Sequence, residues 1–173
     1  MEVMIKLDKT DDYKEVARQI IPQLQHIHSF GVHSGIKPDN IMKRMGTPKE
    51  YYLIDFGGSS MERQDDGYIR YSHSYRWTTQ DQDSGDPTYP KQDLLELTFT
   101  LKFLLNFKIG VHNEGGHGDK CDHYRLKHKS KVCDNVRTGF NQRLKDYFEI
   151  TNNLPEKRHL SDRTYERLLE IFE

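Results

Sequence analysis

Residues 26–57 run HIHSFGVHSGIKPDNIMKRMGTPKEYYLIDFG. In physical terms they are the tail of an amphipathic helix, a polar loop, a short strand, a turn and a second strand. The loop carries His33, Lys37, Asp39 and Asn40. The second strand, Tyr51 to Ile54, delivers Asp55 to its C-terminal edge, with Phe56 and Gly57 behind it. Polar groups that meet at strand ends are where active sites are commonly built, because the sheet fixes them while the loops stay open.

Upstream, Thr10, Asp11 and Asp12 supply capping chemistry and favourable negative charge for a helix over about 12–29. Val16, Ile20, Leu24 and Ile27 recur at helical spacing, and Ile21 and His28 widen the stripe. Residues 3–7, VMIKL, read as a short strand or an extended arm, and residues 1–11 together as an N-terminal arm. Downstream, 58–90 is polar, rich in Gly, Ser and Asp, and without periodicity, which predicts a long ordered loop. Lys91 to Phe107, KQDLLELTFTLKFLLNF, is the strongest helix pattern, and two more helices are predicted at about 137–153 and 161–172. A chain of 173 residues with this organisation predicts one domain, 1–173.

With those residues in view, HSGIKPDN followed after the hairpin by DFG resembles the catalytic loop and magnesium loop of the eukaryotic protein kinases. The resemblance spans about 13–107 and returns more loosely over 137–172. There LKDYFEITNNL and DRTYERLLEIF resemble the close of the casein kinase I and vaccinia-related kinase group. It implies a mainly α fold with a small β-hairpin, a kinase C-lobe-like helical domain lacking the N-lobe. The glycine-rich loop, the strand lysine and its glutamate partner have no place in MEVMIKLDK, and Lys6 reads as surface. Residues 58–90 would be the activation segment, although YRWTT at Tyr75 to Thr79 is not followed by the family's APE triplet.

Residue by residue, the resemblance makes Asn40 and Asp55 magnesium–nucleotide ligands and sets Lys37 against the transferred phosphate. It makes His33, Phe56 and Asp93 structural, with Asp93 holding the loop from beneath. Without the resemblance, Asp55 and Asn40 read as residues that satisfy backbone groups in tight turns. The decisive departure is Gly35, which stands where the family has its catalytic aspartate. Losing a positioned acid–base group costs about 10² to 10⁴ in rate. Asp39 does not replace it, since it matches a solvent-facing acidic position.

Net charge is −1, which removes any global argument for nucleic acid or membrane. There is no apolar run of about 18 residues, and two cysteines without a framework suit a reducing compartment. A cytoplasmic or nuclear location follows, in an infected host cell if the analogy with degenerate viral kinase homologues holds. The stretch 108–135 is a His-, Cys- and Lys-rich insert. His112, His117, Cys121 and His123, with His128 and Cys133 beyond, offer imidazole and thiolate of the kind zinc takes, but at no common zinc spacing. A solvated loop is the competing reading. Lys120, Arg125, Lys127, Lys129 and Lys131 form a basic run that reads as a solvated face or a dock for an acidic partner.

The expectation is a catalytically inactive, pseudokinase-like binding module that needs no cofactor and inhibits or modulates a kinase or its pathway. Its partner would be a protein kinase or kinase substrate, met on an apolar ledge formed by Ile36, Ile41, Met42 and Phe56. The enzymatic alternative is the catalytic half of a serine/threonine kinase, completed by a separate small lobe and holding Mg–ATP, weakly when alone. A scaffold stabilised by zinc at the insert is the third.

Overall fold

Helix α1 (Tyr13–His28) forms where the apolar spacing asks for it. The Asp12 side chain accepts from the Lys14 N–H at 2.9 Å and caps its start. Val16, Ala17, Ile20, Ile21, Leu24, Ile27 and His28 are all buried along one stripe. The computed structural model describes residues 3–44, 46, 49–61, 88–105, 111–113, 120–122 and 140–173. Most of the 58–90 loop and of the 108–135 insert therefore lies outside the described residues.

Strands β1 (Met4–Lys6), β2 (Ile41–Arg44) and β3 (Glu50–Leu53) make an antiparallel sheet in the order β1-β2-β3. Met4 lies opposite Arg44 and Lys6 opposite Met42, while Ile41 faces Leu53 and Lys43 faces Tyr51. Strand alternation sends Ile41, Lys43, Tyr51 and Leu53 inward and turns Tyr52 out to solvent.

Lys43 is an ammonium on the core side of the sheet, which is costly unless paired. Its Nζ donates to Asp8 Oδ2 at 2.8 Å and to both Asp11 oxygens at 2.9 and 3.1 Å. Asp11 also accepts from the Tyr51 hydroxyl at 3.0 Å and from the Asp8 N–H at 2.9 Å. The hydrogen bond from Lys43, then those from Thr10, hold the Asp8 carboxyl well below the usual carboxylate range. Burial, reinforced by the bond to Asp11, pushes the Tyr51 phenol up. This cluster fastens the turn between β1 and α1 to the hairpin.

Helix α2 (Pro90–Leu104) starts with a proline in its first turn, and the Gln92 side chain accepts from the Tyr89 N–H at 2.8 Å. Strands β4 (Val111–Asn113) and β5 (Lys120–Asp122) pair antiparallel. Helices α3 (Gln142–Asn152) and α4 (Asp162–Glu170) follow. The α2 helix packs on α1 and α3, and α4 packs on α1. Between them Phe172 is fully buried, with its ring 5.4 Å from Tyr147 and 6.3 Å from Tyr13. Its carbonyl accepts from Arg18 Nε at 3.0 Å. No described helix is long and apolar enough to cross a membrane.

These observations correct the expected fold class. The described chain is four helices with a three-stranded antiparallel sheet, and not a mainly α, kinase C-lobe-like helical domain with a small hairpin. Of the two readings of residues 3–7, strand or arm, the strand is the one observed, and it joins the sheet. The buried Leu7 donates its N–H to the Ile41 carbonyl at 3.1 Å, and the Lys43 cluster anchors the residues that follow. The strongest predicted helix stops at Leu104 rather than Phe107, and the last two begin at Gln142 and Asp162.

Phe172→Ala is expected to cost about 3–5 kcal/mol of unfolding free energy in a denaturant titration. Phe30→Ala, at a ring 42% exposed, should stay within about 0.5 kcal/mol. Equal losses would contradict this account of the core.

Candidate functional site

The loop from His33 to Asn40 is held from below by one face of α2. Asp93, 1% exposed, accepts the His33 N–H on Oδ2 at 2.7 Å and the Ser34 N–H on Oδ1 at 2.8 Å. One turn on, Glu96 Oε2 accepts the Ile36 N–H at 2.8 Å, and one further turn on the Thr100 hydroxyl donates to the Ile36 carbonyl at 3.3 Å. Helical spacing lines the three side chains up on one face. They meet the backbone of a loop that has no sheet or helix partner of its own, which answers its unpaired donors in a place water does not reach.

Behind Asp93 stands a second buried pair. His28 Nε2 lies 2.9 Å from Asp93 Oδ2, and its Nδ1 lies 2.7 Å from the Tyr165 hydroxyl on α4. Burial opposes ionisation of Asp93 most strongly. The His28 hydrogen bond, then the pull of the His28 ring and the His33 N–H, outweigh it and hold the carboxyl below its ordinary value. Ser34 sits at φ 57°, a left-handed conformation worth about 1–2 kcal/mol of strain in a non-glycine residue. The hydrogen bonds that its own N–H and that of His33 donate to Asp93 fix the start of that turn.

His33 Nε2 donates to the Ile54 carbonyl at 3.1 Å, and its ring lies 4.8 Å from that of Phe56 at an interplanar angle of 52°. Nδ1 thereby carries a lone pair, and it and Ser34 Oγ are buried without a hydrogen-bond partner among the described residues. Burial lowers the His33 pKa and keeps the ring neutral. Asn40 joins the loop to the strand beyond: its carbonyl accepts the Ile54 N–H at 2.9 Å, and Nδ2 donates to the Gly35 carbonyl at 3.0 Å. Asp55, next along, is also left-handed at φ 61°, and its Oδ1 accepts from the Gly57 N–H at 3.3 Å. Ser59 Oγ donates to the His33 carbonyl at 3.1 Å, and Val32 and Ser60 exchange backbone hydrogen bonds at 3.0 Å.

Two glycines in this region differ. A Cβ on Gly31 would stand 2.5 Å from the Ser60 carbonyl oxygen, so close approach of the chain requires glycine there. A Cβ on Gly35 would meet Asn40 Nδ2 at 3.4 Å and His33 Nδ1 at 3.6 Å, ordinary contact distances, and its backbone is not left-handed. The fold admits a side chain at 35.

His33, Phe56 and Asp93 thus come together, and Asn40 and Asp55 flank Ile54 at the same loop. Lys37 is half-buried at the start of the short helical turn Pro38–Asn40. Of the zinc candidates, His112 and Cys121 lie opposite one another in the β4–β5 backbone register, while His117 and His123 lie outside the described residues. Among the described residues no group of three or more His, Cys, Asp or Glu is placed to hold a metal.

The apolar ledge needs correcting. Ile36 and Ile41 are fully buried and Met42 is half-buried, because the loop is drawn down onto α2 and β2 turns Ile41 inward. Of the expected ledge only Phe56, 54% exposed, stays on the surface, and the exposed apolar side chains beside it in sequence are Tyr52, Ile54 and Met61. The sequence reading missed Glu96, Thr100 and the His28–Tyr165 pair. Their signal was present as polar residues at 93, 96 and 100, one helical face of an otherwise apolar segment.

No family model matches the chain. Over 48 residues it is 40% identical to the serine/threonine-protein kinase RAD53 of Saccharomyces cerevisiae, a stretch covering 27% of this chain and 6% of the yeast protein. A stretch of the chain is thus similar to a small part of one protein kinase.

Asp93→Ala strands His28 and two backbone N–H groups, and is expected to cost about 3–5 kcal/mol in a denaturant titration. The pH dependence has two windows. His33 titrates lower when folded, so the unfolded chain takes its proton first, and stability starts to fall as pH drops below about 6.5. Asp93 also titrates lower when folded, so its contribution is complete above about 3.9 and is lost as pH falls below that value. His33→Gln should flatten the upper window alone.

Proposed function

We propose that this chain is a catalytically inactive relative of a serine/threonine protein kinase that acts by binding, modulating a kinase or its signalling. The observation that carries the reading is Gly35. Phosphoryl transfer to a hydroxyl needs a group that positions the nucleophile, and this position offers none although a side chain would fit there. No neighbouring carboxylate replaces it. Asp39 is exposed and paired with Lys6 at 3.1 Å, while Asp93 and Glu96 are turned into the loop's own backbone. The similarity to a kinase over part of the chain supports the ancestry, and we take HSGIKPDN and DFG as its counterparts of the catalytic and magnesium loops. Phe56, Tyr52, Ile54 and Met61 supply exposed apolar surface that suits a protein partner, a kinase or a kinase substrate.

One observation favours a second reading, a catalytic half that awaits a separate small lobe. Asn40 and Asp55 are brought to either side of Ile54, and the Asn40 Oδ1 has no protein partner among the described residues. One carboxylate and one amide oxygen are a thin donor set, since magnesium is usually held by one or two carboxylates together with the nucleotide's phosphates. They fit the ion only with a nucleotide present.

Incubation with Mg–ATP and generic protein substrates is expected to give no phosphate transfer above a blank, from the wild type or from Gly35→Asp. Transfer by either defeats the binding reading. Calorimetric Mg–ATP binding that Asp55→Ala abolishes would favour the second.

A further inference from the structure

Among the described residues no strand lies beyond the outer edge of β1, and the hydrogen-bonding groups of that edge can be assigned. Leu7 donates to the carbonyl of Ile41, the residue directly opposite it in the β1–β2 register. Antiparallel ladders alternate between bonded and non-bonded pairs. Ile5 opposite Lys43 is therefore a bonded pair, and Met4 and Lys6 turn their own N–H and C=O groups away from β2. Every residue of the strand is exposed, with Val3 beside it at 64% and Ile5 at 40%. Alternation puts Val3 and Ile5 on the face that carries buried Leu7, Ile41 and Tyr51, so the apolar side of the sheet runs on past the point where the core stops covering it.

We propose that β1 is the interface of a homodimer, pairing antiparallel with β1 of a second copy about a twofold axis at Ile5. A twofold pairing through the outward groups of this strand has three registers. Centring on Lys6 sets two ammonium groups opposite each other, which destabilises a sheet. Centring on Met4 leaves the outward groups of Lys6 facing residues beyond the strand. Centring on Ile5 sets Met4 of one copy against Lys6 of the other, twice, so every outward N–H and C=O of the strand is bonded and no like charges are opposed. The same register places the two Ile5 side chains directly across the axis and Val3 of each copy against the buried Leu7 of the other. The strand is complementary to itself, which is what an isologous interface requires. The result is one continuous sheet, β3-β2-β1-β1-β2-β3. Because β1 spans only Met4–Lys6, the interface is small, and the dimer is weak and concentration-dependent.

The test uses the whole chain in sedimentation velocity from about 1 μM to about 1 mM. The wild type is expected to shift from monomer to dimer as concentration rises. Met4→Pro removes only an outward N–H, which an edge strand tolerates, and should remain monomeric with an unchanged far-ultraviolet circular dichroism spectrum. Register is read separately with Ile5→Cys in a Cys121→Ser, Cys133→Ser background. A non-bonded antiparallel pair brings the Cα atoms to about 4.5 Å, so mild oxidation should cross-link it, while Met4→Cys in the same background should cross-link poorly. A monomer throughout the range, a dimer that Met4→Pro leaves intact, or equal cross-linking at both positions would overturn the proposal.

Discussion

Two carboxylates on one face of α2 hold the backbone of the loop above them, and the candidate site depends on that arrangement. Asp93 takes the N–H groups of His33 and Ser34, and Glu96 takes that of Ile36. A loop with buried donors needs acceptors, and a helix supplies them at fixed spacing without moving. The expense of burying Asp93 is offset by two backbone donors and by His28, itself bonded to Tyr165 on the last helix. Asp93 on α2 thus joins the loop and the end of α1 and, through His28, reaches α4.

The same arrangement separates architecture from chemistry. His33 is neutral, donates to the Ile54 carbonyl and lies against Phe56, so it ties the loop to the segment after β3. Asn40 makes the same tie from the other side through the Ile54 N–H. Every carboxylate in or under the loop is engaged: Asp93 and Glu96 with backbone, Asp39 with Lys6, Asp55 with the Gly57 N–H. Gly35 stands among them without a functional group. Our proposal that the chain acts by binding rests on this combination of a fixed loop and a glycine at 35.

Much of this was legible in the sequence, for identifiable reasons. Periodicity placed α1 within a residue at each end, because Val16, Ile20, Leu24 and Ile27 bury together and Asp12 caps. The kinase resemblance pointed to His33, Phe56 and Asp93; in the structure the His33 ring lies against Phe56 and the His33 N–H donates to Asp93. What stayed hidden depends on pairing between distant segments. VMIKL reads as a strand or an arm and carries no mark of its strand partner, so its place in a three-stranded sheet was not legible and the fold was taken as mainly helical. Nothing near Lys43 in the sequence marks it as buried, and only the approach of Asp8 and Asp11 offsets the cost of its burial. Ile36 and Ile41 read as an exposed ledge because nothing local shows that the loop is pulled down onto α2.

The most direct measurement is amide hydrogen exchange on the wild-type chain at residues 33, 34 and 36. If Asp93 and Glu96 hold this loop as described, these amides exchange only through global unfolding, as slowly as those at the centre of α2. Exchange at the rate of an open surface loop would show that the carboxylates do not hold it, and the account of a fixed, base-free loop would fall.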